Sequence, residues 1–399
     1  MPASATPSFF FHPPHTATTW QCAAHKESQI MDTQTINEQL LSGETWSQFC
    51  DHLKRCGQQI LRPETPADPA TRAEGYRYLT RLLRIALEMH VEFADPAFPS
   101  FFKTSHETAK IGADNPDNIY EYSRLNGSMK YRIHGNRGTV SYLSFCTQKG
   151  GYEADGRMVV TGFIDATQLK TDENGDFELI VSRDPQPGNW LPMEDASVSL
   201  LVRQTFMDRK SEVPAKLAIE RIGTTDTPGP LDPLVLAQSL QRVTSFVENT
   251  AKLFADWAQS YLPHSNQLPP ADQAYCQSVG GDPNIFYYHS HWELREDQAL
   301  VIHIDKVPEC SFWNLQINNY WLESLDYRYH QICINKHQAQ YNESGGVTLV
   351  LSEKDPGIAN WLQTAGVRQG TMCLRWVGAK EQCHPTTKVI SINQLLETV

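Results

Sequence analysis

The chain has 399 residues, of which 34 are Lys or Arg and 46 are Asp or Glu, so its formal net charge is −12. This length allows two or three domains, and a hydrophobic fraction of 40% is enough for packed cores, which excludes a disordered chain. Because a negative surface repels phosphate groups, we expect no nucleic acid and no anionic membrane as partners.

Nine cysteines occur without a CxxC pair or regular spacing, which argues against a disulfide scaffold and a structural zinc site. We therefore predict reduced thiols and a cytoplasmic location. No apolar stretch approaches the roughly 18 residues of a transmembrane helix, so no membrane span is predicted. A homo-oligomer is compatible with this composition.

Residues 1–30 differ in amino-acid composition from the rest of the chain. Phe9-Phe10-Phe11 is followed at once by His12-Pro13-Pro14 and has no basic residue before it, unlike a secretory signal. We predict a disordered tail, with Met31 as an alternative natural start.

Residues 31–105 are predicted to form an N-terminal helical segment. A first helix should begin near Thr45, which with Gln48 has the form of a capping box. Its apolar stripe is Trp46, Phe49, Leu53, Cys56 and Ile60. A second amphipathic helix is predicted from Thr71 to Phe93.

Two regions rich in β-branched and aromatic residues follow, separated by one helix. We predict a first β-sandwich domain over 106–230, a linking helix over 231–265 and a second β-sandwich domain over 266–399. Within the linker, apolar residues recur at steps of three and four, and Pro233 stands in the first turn.

The two β regions repeat one another at an offset of about 170 residues, which is the strongest signal in the sequence. Four blocks recur in the same order. They are DNIYEY with PNIFYY, YRIH with LVIH, YLSF with FWNL, and LIVS…NWL with LVLS…NWL. We infer a tandem duplication.

The stretches Asp114 to Phe145, Gly188 to Arg203 and Trp313 to Trp376 resemble the domain of unknown function 1214 family, often found beside the related 1254 domain. The resemblance implies antiparallel β-sandwich or jelly-roll-like domains plus helices, and no established general reaction. The predicted fold is mainly β with accessory helices (α+β). It has two tandem related sandwiches, an N-terminal helical layer and a long inter-domain helix.

Motifs present in both repeats are best explained by the shared fold. Asn189 and Asn360 are predicted to hold a turn, beside Trp190 and Trp361. Arg203 and Arg375 each lie inside an apolar strand, where an unpaired charge is costly. We expect each to have a buried partner, in a structural ion pair or, alternatively, as a substrate clamp.

Residues 318–330 form the densest polar and aromatic stretch, and donors, a guanidinium and tyrosines suit a hydroxylated or anionic ligand. The alternative is a polar loop that closes one end of a sandwich. Our candidate catalytic residues are Tyr327 and His330. The candidate substrate-binding residues are Arg328, Trp321, Asn318 and Tyr288.

His289 and His291 would lie on one face of a strand, about 7 Å apart, a spacing that can share a metal ion. His303 or His330 would be the third ligand. Such pairs also occur in strands without metal, so this transition-metal site is an alternative to a cofactor-free protein.

The leading interpretation is an enzyme that acts on a small apolar molecule with hydroxyl or carboxyl groups, of the lipid, terpenoid or sterol kind, by acid–base chemistry in the second β domain. The residues do not define a reaction class, and GxSxG, P-loop, GxGxxG and HExxH motifs are missing. The alternatives are a non-catalytic module that binds carbohydrate or protein, and a metal-dependent enzyme that uses the histidine pair.

Overall fold

The structure, a computed structural model, describes residues 33–398. Helices α1 to α6 span Thr33–Ser42, Glu44–Cys56, Pro69–Leu87, Pro233–Tyr261, Gln273–Ser278 and Ile392–Thr398. Strands β1 to β8 span Asn118–Arg124, Tyr131–Asn136, Tyr142–Gly150, Met158–Asp165, Asp176–Ser182, Trp190–Pro192, Ser199–Thr205 and Lys216–Arg221. Strands β9 to β16 span Ile285–Glu293, Gln298–Ile304, Phe312–Asn318, Cys333–Asn335, Val347–Ser352, Trp361–Gln363, Gln369–Val377 and Thr386–Ser391. The predicted tail, residues 1–30, and Met31 lie outside the described residues.

The two halves have the same sheet topology. The first half contains sheets β1-β7-β3-β4 and β6-β5-β2-β8, and adding eight to every strand number gives the sheets of the second half, β9-β15-β11-β12 and β14-β13-β10-β16. All pairs are antiparallel except β5 with β6 and β13 with β14, which are parallel. The predicted tandem duplication and the mainly β fold are confirmed.

Each half encloses its own core between its two sheets. Phe145, Leu179 and Val202 belong to the first core, and Trp313 and Leu349 to the second, all of them fully buried. Along each strand the core residues occupy every second position, because alternate side chains of a strand point to one face. Each sandwich is therefore a separately packed unit.

A third core joins the two sandwiches through the helices. Every residue of β7 and of β11 is buried, so these central strands are covered on both faces. Tyr122 from β1 and Tyr287 from β9 turn away from their sandwiches and pack in one cluster with Leu82 of α3 and Phe246 of α4. The N-terminal helical layer and the long inter-domain helix are confirmed.

Three helices, α3, α4 and α5, begin after an aspartate whose side chain accepts a backbone N–H. Asp232 accepts a hydrogen bond from the Leu234 amide at 2.8 Å and caps α4. In contrast, α2 begins at Glu44 after Gly43, whose φ is 80°, and no side chain caps it. The predicted capping box at Thr45 is wrong, and Trp46, placed on the buried stripe, is 62% exposed.

The repeated NWL motif has the structural role that the sequence indicates. Asn189 donates to the carbonyl oxygens of Lys170 and Glu178 at 2.7 and 2.9 Å, and Asn360 makes the equivalent bonds to Gln340 and Thr348 at 2.8 and 3.1 Å. The two asparagines fasten matching loops to matching strands. The indoles of the two motifs are half-buried and each donates to a strand carbonyl.

Trp321 connects the helical layer to the second sandwich. Its indole nitrogen donates to the carbonyl oxygen of Thr71 at 2.8 Å, and its fully buried ring lies where a side chain on Gly75 would stand, 2.7 Å from a Cβ there. Gly75 lets α3 approach this ring closely.

Replacing Trp321 with Ala should therefore lower the free energy of unfolding by about 3–5 kcal/mol, since a large buried ring and a hydrogen bond are lost. Urea unfolding curves measure this. The matched control is Trp46→Ala on exposed α2, expected to change the free energy by less than about 0.5 kcal/mol. Equal effects of the two substitutions would contradict this role of Trp321.

Candidate functional site

A cavity of about 160 Å³ lies where the two sandwiches meet the helices. Residues of β1, β3 and β7 line it from the first half, residues of β9 and β15 from the second, and α4 covers it. We call it the central cavity. Both repeats contribute to it, so it belongs to neither sandwich alone.

One wall of the central cavity is apolar and aromatic. Phe246, Phe254 and Trp257 of α4 line it, because these positions share one face of the helix. The rings of Phe254 and Trp257 are 5.7 Å apart and edge to face, and Tyr152 of the first sandwich meets Phe254 at 5.7 Å in the same way. The wall suits a flat apolar group.

The lining of the cavity also includes two buried arginines in equivalent positions. Arg203 of β7 stands opposite Tyr120 of β1, and Arg375 of β15 stands opposite Tyr287 of β9. Burial raises the pKa of both tyrosines, so the phenols stay protonated. Each phenol oxygen accepts a backbone N–H, from Asn115 and from Asp282 respectively, both at 3.0 Å.

Several polar atoms that border the cavity have no hydrogen-bond partner in the described chain. They are Asn118 Oδ1, both amide atoms of Gln148, Arg203 Nη1, Trp257 Nε1 and His289 Nδ1. Buried polar groups are normally satisfied, and unsatisfied ones at a cavity point to a missing ligand or water. The cavity thus combines an apolar wall with several free donors and acceptors.

His289, which also lines the central cavity, lies between two nearly parallel aromatic rings. Its imidazole stacks on Tyr261 at 5.6 Å and on Tyr287 at 5.8 Å, and its Nε2 is 3.8 Å from the thiol of Cys373. Burial and, to a lesser degree, the charge of Arg375 lower the pKa of His289 to about 3. The imidazole is therefore neutral at physiological pH.

His291, two residues after His289, contacts a different part of the chain. Its Nδ1 is 2.7 Å from the hydroxyl of Ser265. Among residues 33–398, no group of three or more His, Cys, Asp or Glu is placed to hold a metal ion. His303 pairs with Asp305 at 3.1 Å on the outer sheet of the second sandwich. A metal at His289 and His291 stays a prediction from sequence.

The residues proposed from the 318–330 stretch do not meet in one pocket. Asn318 donates to Thr371 at 3.2 Å at the end of β11. Trp321 packs on α3, as described above. Tyr288 points into the second core, where its hydroxyl lies 2.9 Å from His384 Nδ1.

Of the remaining three residues, Arg328 and His330 are exposed and Tyr327 is half-buried against the second core. Both oxygens of Asp326 accept from Arg328, at 2.8 and 2.7 Å, so this guanidinium already has its carboxylate. Tyr327 packs beneath Lys110, whose ammonium is 4.9 Å from the ring centre. His330 is exposed and its Nδ1 lies 3.2 Å from Gln363. Their roles in catalysis and binding stay predictions.

Sequence analysis did not single out Tyr120, Gln148 or the aromatic face of α4. One signal for them was present, namely the buried arginine in each repeat. An arginine that recurs inside an apolar strand predicts a buried polar site, and its strand neighbours are then the candidates.

Comparisons with known proteins agree with this architecture. The family model described as protein of unknown function (DUF1214) matches residues 121–205 and 289–381, one segment in each half. The crystal structure of an uncharacterized protein from Burkholderia cenocepacia is 62% identical in sequence, with 90% of this chain and 99% of that chain covered and a TM-score of 0.88. The chain belongs to the DUF1214 family.

Both buried arginines and His289 fall inside the matched DUF1214 segments, whereas Asn115 and Asp282 lie just outside them. The VPA0106 protein from Vibrio parahaemolyticus is 13% identical, with 79% of this chain and 98% of that chain covered and a TM-score of 0.46. A likeness of that size says nothing about function. None of the curated proteins matches the chain.

The low pKa of His289 predicts how stability depends on pH. An unfolded histidine has a pKa of about 6.5, so between that value and about 3 the unfolded state binds one proton more than the folded state. The free energy of unfolding should fall by about 1.4 kcal/mol per pH unit for this group as the pH drops through that window.

Replacing His289 with Phe should remove this slope, while the contribution of the similarly buried His90 remains. Urea unfolding at several pH values from 6 to 4 measures it. Tyr261→Phe is the matched control, because it alters the neighbouring ring without adding or removing a group that titrates there. An unchanged slope in His289→Phe would show that the imidazole is charged in the folded protein.

Proposed function

We propose that the protein binds a small, largely apolar molecule with a carboxyl or hydroxyl group in the central cavity. The observation that carries the proposal is the set of unpartnered donors and acceptors around a cavity with one apolar, aromatic wall. Ligand sites usually combine apolar walls with a few convergent polar groups in this way.

The volume of the cavity narrows the class of ligand. About 160 Å³ is close to the roughly 150 Å³ of an engineered cavity that takes up benzene. This size favours one ring with a few polar atoms over a terpenoid or a sterol.

The ionisable groups at the cavity favour binding over acid–base catalysis. An efficient general acid or base has a pKa near the working pH. The pKa of His289 is about 3, and the pKa values of Tyr120 and Tyr287 are raised above an ordinary 10. These groups keep one protonation state near neutral pH and serve best as fixed donors and acceptors.

A carbohydrate- or protein-binding module, the rival interpretation, would present an exposed aromatic shelf. Phe246, Phe254 and Trp257 of the central cavity are instead buried on the inner face of α4. This burial supports a small molecule as the ligand.

We also propose that the protein is cytoplasmic and keeps its thiols reduced. All cysteines among residues 33–398 are free, as expected for a reducing compartment. No helix in this part of the chain is long and apolar enough to span a bilayer.

Native mass spectrometry of the purified protein should reveal a bound compound with the mass of a single-ring acid or alcohol. After its removal, some members of a panel of ring acids, alcohols and amides should raise the melting temperature, since a ligand that binds only the folded state stabilises it. A protein that carries no compound and responds to no panel member would refute the proposed function.

Gln148 provides a sharper test, because its amide has no partner in the cavity wall. Gln148→Met should leave the free energy of unfolding unchanged or raise it by about 1–3 kcal/mol, while weakening the best panel compound at least about tenfold. Unfolding curves and calorimetric titration measure the two effects.

The matched control is Gln204→Met, also buried in the first sandwich. Gln204 donates to Glu121 at 2.8 Å and accepts from the Ala215 amide at 2.7 Å. Its loss should destabilise the fold by about 1–3 kcal/mol and leave affinity unchanged. If Gln148→Met behaved like this control, the amide would have a structural role only.

A further inference from the structure

Each of the two arginines of the central cavity donates a hydrogen bond to the backbone of the other repeat. Arg203 donates to the carbonyl oxygen of Gly280, just before β9, at 2.5 Å. Arg375 donates to the carbonyl oxygen of Ala113, just before β1, also at 2.5 Å. Both acceptor residues have positive φ, 101° for Gly280 and 56° for Ala113.

The equivalence extends to the next residues. Asn115 and Asp282 each begin a matching turn, in which the side-chain Oδ1 accepts the amide of the second residue after it, at 3.0 and 2.9 Å. Each also donates its backbone N–H to the phenol of its own repeat's cavity tyrosine, as described above. Asn115 therefore occupies in the first repeat the position of Asp282 in the second.

The charges at these two positions differ. Asp282 Oδ2 is 3.7 Å from Arg203 Nη1, so Arg203 has a buried counter-ion. The residue that would serve Arg375 in the same way is the neutral Asn115. Besides the carbonyl of Ala113, Arg375 donates within the described chain to two amide oxygens, of Asn314 at 3.4 Å and of Gln316 at 2.5 Å.

Within the described chain, the hydrogen bonds of Arg375 reach no carboxylate directly. The first repeat has its carboxylate two residues after Asn115, at the buried Asp117, where the second repeat has Asn284. Asn314 separates the two charges, because its Nδ2 donates to Asp117 at 2.9 Å and its Oδ1 accepts from Arg375.

The two carboxylates that border the cavity have other partners: Asp114 accepts from Ser324 at 2.8 Å, and Glu153 lies 3.9 Å from Arg124. Arg375 is buried and always charged. A buried charge with no carboxylate in direct contact is costly, which makes this guanidinium a natural site for a ligand's anion.

We infer that Arg375 binds the carboxylate of a monoanionic ring acid whose ring lies against Phe246, Phe254 and Trp257. The inference rests on the proposed function and specifies the ligand's charge and orientation. One guanidinium without a carboxylate in direct contact matches one negative charge, so a monocarboxylate fits better than a dianion. The asymmetry also explains why two related repeats would form one anion site.

The test uses benzoate and benzamide, which share a shape and differ in charge. Calorimetric titration of the wild-type protein should give benzoate at least a tenfold higher affinity than benzamide. Asn115→Asp adds to Arg375 the internal carboxylate that Arg203 already has. This variant should lose benzoate affinity at least tenfold.

The control variant is Asn342→Asp, in an exposed turn of the second sandwich, where the same change of charge should leave both affinities unchanged. Equal affinity of the wild type for acid and amide, or full benzoate binding by Asn115→Asp, would overturn the assignment of Arg375. Such results would leave the proposed pocket intact. Failure of every panel compound, charged or neutral, would instead remove the pocket's function. The wild-type ratio decides the question even when the variant does not fold.

Discussion

The burial of two guanidinium groups between the sandwiches is the constraint on which the rest of the structure depends. Arg203 and Arg375 each leave their own repeat and donate to a backbone carbonyl of the other. A buried charge without partners costs several kcal/mol, so the segments that hold Gly280 and Ala113 must stay in place. These bonds fix the two sandwiches against each other and hold the first strand of each repeat at the seam.

Helix α4 closes the space around the two arginines. Two charged groups cannot pack against apolar sheet faces, and the space around them is closed by the aromatic residues of α4. The rings of Phe254 and Trp257 contact each other edge to face and leave a cavity beside the guanidinium groups. A helix that links the repeats in sequence therefore also forms the wall between them, and the cavity exists only in the assembled chain.

Much of the fold was readable from the sequence, but the candidate site was less so. The repeat, the NWL turns and the buried arginines were identified from local patterns, and the structure gives the first two the expected form. Residues that occur in only one repeat predict a functional site at Tyr327, Arg328 and His330. In the structure Arg328 is neutralised by Asp326 two residues away, a short-range pairing that a dense polar stretch does not reveal. The informative difference between the repeats is instead the position of one carboxylate. It is Asp282 in the second repeat and Asp117, two residues after the equivalent Asn115, in the first.

By itself, the sequence determined the two β-sandwiches, their duplication, the long helix and the burial of one arginine in each repeat, because side-chain periodicity and turn residues act over a few neighbouring positions. Only the tertiary structure decided which groups the arginines meet. Arg203 lies 79 positions before Asp282 along the chain, and Arg375 lies 260 after Asn115. The contact between a charge and its partner depends on how the two repeats face each other, and that arrangement leaves no periodic signal in the sequence.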